Sequence, residues 1–487
     1  NTTTIVMTAS TATDALSEPV YYYFENTTNT DNSGWISSTV WTNTGLTEGA
    51  TYGYQVKARD SATPSNETAF SSVFTAGPPF TGTFNKADNA DDLDQPGSWT
   101  EPGRPGASDT ARFDNSISAA NRTMELGASL SWDQISVGNN GTFTFNDTPG
   151  TSTLTLGAGG IVGAVAFVVI NADVALGTNQ TWGGVRGVTL NSDLSTAGFN
   201  LTVDGAGGID NPYLFSGTSV ISGSGNLTFT GGKGALGGAN TYTGSTTVNS
   251  TGVLYLDNEN ALGDSSTRVL NVNGGAVGPD DNLSLAGANP TPIVLSGGGR
   301  IFFDGTTSES VSQTLDINSD ISGNGGLVLD VQNLRNNQTH VVDVTFGGDN
   351  DYDGTTTLRT TGRPTVGVHT HHDLIVRNGL ADALPTDTVL EFDNRFGQDN
   401  SLPDATRQPI SYDLNGFNQQ VAGLTQSVAQ AVVGYLDANA VVNSGAAATL
   451  TVTNSTDYTF HGWLGVDNYG GAQAFPETGN NFGLTKS

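Results

Sequence analysis

The feature that most limits what this chain can become is a run of alternating residues that recurs with its turns intact. Ser222–Gly263, SGSGNLTFTGGKGALGGANTYTGSTTVNSTGVLYLDNENALG, reads as short strands. In them Leu227 and Phe229, then Thr246 and Val248, then Leu254 and Leu256 share a side, and Gly, Asn or Ser bounds each strand. A strand of period two buries one face and wets the other, so none of these folds alone. The unit returns in order at Ser322–Pro385: SGNGGLVL answers SGSGNLTF, FGGDNDYDGTTTL answers LGGANTYTGSTTV, and GLADALP answers ENALG. A third fragment, ATLTVTNSTDYTFHGWLG, lies at Ala448–Gly465. Such repeats bury their apolar faces by stacking coil on coil, which is the logic of a β-solenoid.

The same rhythm runs from Thr110 onward, for example at Leu154–Leu156, Leu201–Val203, Leu270–Val272, Val342–Phe346 and Leu390–Phe392. About 20 residues per coil and roughly 4.8 Å per coil predict a rod near ~90 Å long. Gln332–His340, Arg363–Asp373 and Phe396–Gln408 break the rhythm as insertions. Asn480–Ser487 begins another repeat, with Phe482 and Leu484 on alternate residues.

Gly-x-Leu-x-Leu-x-Gly, then GANTYTGSTTV at Gly238–Val248, then Leu-x-Leu, resembles the autotransporter-associated β-strand repeat of bacterial surface passengers. WTEPGRPGASDTARFDN at Trp99–Asn115 is similar to the segment that opens such helices, and DLNGFNQQVAGL at Asp413–Leu424 resembles another recurrent coil. The resemblance spans roughly residues 80–487. It implies a right-handed parallel β-helix at the cell surface or beyond, and no activity.

Residues 1–76 differ. TIVMTA, VYYYFEN, STVWTNTGL, TYGYQVKARD and AFSSVFTA predict five strands at sandwich spacing. Gly45–Asp60 resembles the closing strands of a fibronectin type III module, with Leu46 and Tyr52 at the corner where a buried Tyr anchors the crossover. The family's opening strand has no local source, so an unpaired edge is expected. The expected organisation is an all-β chain: a sandwich at 1–76, a linker and cap at 77–109, and the solenoid at 110–487.

Composition sharpens the class. With 64 Gly, 17 Pro and 13% charged residues, turns and solvated strand faces are well supplied and period-3.6 runs are scarce. The 36% of hydrophobic residues, placed in alternation, favours ordered β structure over disorder. A net charge of −30 makes nucleic acid and anionic membranes poor partners and leaves room for divalent cations. There is no Cys, and no apolar run is long enough to span a bilayer.

Asp349, Asp351, Asp353 and Gly354 spell D-x-D-x-D-G, the front half of a calcium loop. Thr360 stands where the closing bidentate Glu belongs, so a solvated acidic turn competes with calcium. Asp88, Asp91, Asp92 and Asp94 form a second acidic cluster with the same two readings, and Asp280–Asp281 a smaller one. His369, His371 and His372, beside Asp373, place two imidazoles on one strand face, as zinc or copper requires; an exposed polar loop is the plain alternative. No cofactor is required by any motif. A polysaccharide-cleaving β-helix needs carboxylates converging from neighbouring coils beside Arg or Lys. Asp330, Asp343, Glu391 and Asp393 supply acids, but basic residues are few and no spacing selects a pair. Tyr242, Tyr352 and Tyr458 fall at or near equivalent repeat positions and predict a stacking ladder. Asn-x-Ser/Thr triplets such as Asn26 and Asn226 are nearly as frequent as chance produces in so polar a chain.

The reading that follows is a non-enzymatic, extracellular structural protein: a stalk, surface-layer element or head-to-tail homopolymer. The alternatives are an adhesin that takes glycans on its inserted loops, and a polysaccharide-active enzyme on the same scaffold.

Overall fold

The computed structural model describes the chain except residues 1–2, 16–17, 79, 139–140, 149, 165, 206–212, 216, 218, 280–282, 285–290, 305–310, 334–339, 363–371, 395–409, 428–438, 454–455 and 466–480. Among the described residues the only helices are 3-10 turns at Pro96–Ser98 and Ala119–Asn121. The protein is all-β.

Six strands open the chain: β1 (Ile5–Thr8), β2 (Tyr21–Asn26), β3 (Asn32–Ile36), β4 (Val40–Asn43), β5 (Tyr52–Arg59) and β6 (Phe74–Ala76). They form two antiparallel sheets, β1–β4 and β3–β2–β5–β6. Alternation in YYYFEN turns Tyr22, Phe24 and Asn26 inward and leaves Tyr21, Tyr23 and Glu25 outward. The Tyr52 hydroxyl accepts the Thr47 N–H at 2.9 Å, which pins the corner at the expected residues. The expected count of five strands was one short. β3 has no apolar alternation to announce it; a hairpin closed by Asn26 N–H to the Asp31 carbonyl holds it against β2. Among the described residues no strand lies on the far side of β1. Gly49 N–H bonds the Pro78 carbonyl, so the chain at Pro78 lies against the module's own corner.

The parallel ladder starts one coil before the expected boundary at 110, because Thr83–Asn85 already pairs with Thr110–Phe113. Phe84, concealed in an acidic turn-rich run, points inward and meets Phe80 and Trp99 edge-on. Trp99 continues to Phe113 and Trp132, so aromatic rings fill this end of the core. Long strands such as Leu227–Leu236 and Thr246–Leu256 pass a corner with a register shift. Adjoining faces therefore merge into one 25-stranded set. A seven-stranded sheet from Leu283–Ser284 to Trp463–Leu464 covers a further face in the C-terminal half. The result is a parallel β-solenoid with one continuous apolar core from Phe84 to Leu450. Leu227, Phe229, Thr246, Val248, Leu254 and Leu256 are all buried, as the alternation required.

The repeat unit has a specific internal logic. Asn240 Oδ1 accepts the Ile221 N–H at 2.8 Å, and its Nδ2 donates to the Ala261 carbonyl at 2.6 Å. Asn350 repeats this with Ile321 at 2.8 Å and Ala383 at 2.6 Å. Tyr242 and Tyr352 do not form the expected ladder. Each phenol bonds the Thr four residues on, Thr246 or Thr356, inside its own coil. Tyr458 is largely at the surface.

Two further expectations change. Coil length is not constant: Asn191 bonds Asn171 across 20 residues, whereas Thr357 bonds Glu391 across 34. At ~4.8 Å per coil the stack from Thr83–Asn85 to Phe482–Lys486 is about 70 Å long, shorter than expected. The tail, read as the start of another repeat, adds a parallel strand: Phe482–Lys486 pairs with Ala448–Val452. Residues 334–339, 363–371 and 396–408, within the three expected insertions, lie outside the described residues. No helix among the described residues is long and apolar enough to cross a membrane.

Candidate functional site

Tight corners shape a recess on the solenoid's outer surface. Where the chain turns between faces, successive coils place Gly252, Gly274, Gly275, Gly297, Gly298 and Gly326. Gly297 has φ +71°, in the left-handed region that L side chains resist, and a Cβ there would meet nothing within 4 Å. Without side chains the corners leave a groove of about 430 Å³. Ser250 and Thr251 stand at one end, Val253, Ala276 and Val328 line it, and Arg300 and Arg359 reach it from later coils.

The arginines are held by acids that the sequence had offered without partners. Arg300 Nη1 lies 3.1 Å from Asp330 Oδ2, and Arg359 Nε lies 2.8 Å from Asp393 Oδ2. The parallel register sets Asp330, Arg359 and Asp393 in one column across three coils. Both aspartates are nearly inaccessible, with side chains 2% and 3% exposed, while the arginines are 32% and 22% exposed. Burial of a carboxylate demands such a partner. Glu391 accepts hydrogen bonds from the Thr357 and Ser427 hydroxyls. On another face Arg377 bridges Asp343, at 3.0 Å, and the buried Asp413. Asp330, Asp343, Glu391, Asp393 and Asp413 are thus charge and hydrogen-bond partners between coils. Arg359 stands between Asp330 and Asp393, so this column offers fixed donors and acceptors rather than two facing carboxyls.

The predicted metal residues fare differently. Asp349, Asp351 and Asp353 share the exposed outer side of their turn, while Asn350 and Tyr352 point inward. In the cap, Asp88 Oδ1 accepts from Ser118 N–H, the Ser118 hydroxyl and Asn121 Nδ2 at 3.0, 2.8 and 2.7 Å. These bonds, the Asn121 one foremost, hold its carboxyl below the usual 3.8. Asp91 accepts from Asn89 and Asp94 from Gln95, and Asp92 offers its backbone carbonyl to Ser98. Among the described residues no three or more His, Cys, Asp or Glu gather as a metal would need. Buried Lys86, whose amine burial pushes down, donates to the Ala87 and Asn89 carbonyls and to Asn89 Oδ1. His369, His371 and Asp280–Asp281 lie outside the described residues. Asn26 is fully buried and donates to Asn43, so that triplet is closed to a sugar in the folded chain.

Sequence reading missed the groove and all three arginines. The only signal was the clustering of Gly at corners, which becomes a groove once the coils are stacked. No family model, no curated protein and no solved structure matches this chain.

Proposed function

We propose that this chain is a structural element of a bacterial cell surface, a rigid rod that holds a small sandwich module away from its support. One observation carries the reading. A single unbroken parallel ladder runs up one face from Thr123–Glu125 to Gly423–Gln426, over a core with no break. Successive coils are hydrogen-bonded to one another, which gives stiffness along the axis without disulfides. The strongly acidic composition suits a solvated outer layer, and the repeat's resemblance to surface passengers agrees with that location.

Two measurements test it. Antibody against the chain should label intact, unpermeabilised cells of the source organism, and negative-stain images of the purified chain should show straight particles of uniform length. Signal only after permeabilisation, or particles that bend freely between coils, would remove the reading.

A further inference from the structure

We infer that the groove between Ser250 and Arg359 binds a linear, uncharged polysaccharide. This goes beyond the rod, which needs no groove. The argument starts from what the groove presents. Arg300 and Arg359 each engage their aspartate through one nitrogen. A guanidinium carries five N–H donors in a fixed fork, so donors remain on the groove side of each. Buried Asp330 and Asp393 lock those forks in place, which lowers the ordering cost of binding. Arg300 also packs over the Phe302 ring at 5.5 Å, a second restraint on its plane. Ser250 adds a hydroxyl at the other end, where the Thr251 hydroxyl already donates to the Thr230 carbonyl, and Val253, Ala276 and Val328 add apolar wall between the polar points. Fixed donors and hydroxyls alternating with small apolar patches match a ligand that alternates hydroxyls with C–H faces.

Three properties choose among ligands. Each arginine is already neutralised by an aspartate, and the chain carries a net charge of −30, so an anionic polymer is repelled at long range and finds no spare cation. The groove crosses corners, where no strand edge is open, so an extended peptide finds no ladder to join. The glycine corners recur at the coil spacing of ~4.8 Å and the two arginines stand two coils, about 10 Å, apart, which suits a polymer with a short, regular repeat along its axis.

The test uses the whole chain and affinity electrophoresis through gels containing hydroxyethyl cellulose, mannan, dextran or amylose, with polygalacturonate as the anionic comparison. Isothermal titration with oligosaccharides of the retained polymer then gives Kd. Arg300→Lys keeps a cation opposite Asp330 but removes the fork. Ser250→Trp, at an exposed position, fills the groove's end. Each should raise Kd by about tenfold or more, the worth of one or two charged hydrogen bonds, with the unfolding midpoint unchanged. Failure of the parent chain to bind any neutral glycan overturns the inference. So does preferential binding of polygalacturonate, or binding that both folded variants retain.

Discussion

Asn350 bonds a coil on each side of its own, and that explains why Asn-x-Tyr-x-Gly recurs where so much else in the repeat drifts. Its amide is the right length to satisfy one backbone N–H and one carbonyl that the ladder leaves at the turn. Replacing it with Ala strands both groups in a dry interior. Asn350→Ala should cost about 3 kcal/mol, the sum of a lost bond and two unsatisfied buried groups. Asp349→Ala, one residue away on the exposed side, should stay within about 0.5 kcal/mol. Urea unfolding of the two variants separates them, and equal effects would show that the inward amide is not what the repeat preserves. Asp88 gives a pH test of the cap. It binds its proton less readily folded than unfolded, because Asn121 and Ser118 bond the carboxylate. Its contribution is therefore complete above the ordinary value of 3.8 and disappears as pH falls through the depressed folded value. Asp88→Asn should flatten the acid limb of the stability curve in that window. A limb that stays as steep would assign acid sensitivity to other carboxylates.

Elements fold here through partners that are near in space and far in sequence. Leu256 faces the core at the end of Thr246–Leu256, a strand that pairs with the coils before and after it. Leu256→Asp removes apolar burial and puts a carboxylate among Leu270, Val277, Ile293 and Leu295. It should cost at least ~3 kcal/mol, with amide exchange rising first in the coils on either side. A midpoint within a degree or two of the parent would mean that the inward face is misassigned. That face was legible in the sequence because period two needs only neighbouring residues. Coil-to-coil contacts were not. Arg359 finds Asp393 across 34 residues, yet Asn191 finds Asn171 across 20, so no fixed offset predicts a partner. The acids at Asp330 and Asp393 were visible as residues, but their arginines and the groove exist only once the register is set. β3 escaped for a different reason: its pairing is by backbone, and NSGWI carries no alternating apolar face.

The last strand of the chain Asn1–Ser487 carries exposed apolar side chains. Phe482–Lys486 pairs with Ala448–Val452 on one side, and no described strand lies on its other side. Leu484 there is 53% exposed, and Trp463 and Leu464 are exposed on the adjoining sheet. An open edge with apolar side chains is a template for another chain. β1, in the sandwich, also has one partner strand among the described residues, and Val6 on it is exposed. Contact between two unlike ends is heterologous, so repeating it builds an open filament rather than a closed ring. The net charge of −30 opposes that contact, and salt relieves the repulsion because screening shortens to ~10 Å near 0.1 M. Assembly of the chain Asn1–Ser487 should therefore rise with ionic strength. Leu484→Lys, a change at an exposed position, should suppress it without shifting the unfolding midpoint. Sedimentation and negative-stain images across a salt series read both effects. A chain that stays monomeric at high salt and high concentration, or a Leu484→Lys variant that assembles like its parent, would show that the open edge is not where copies meet.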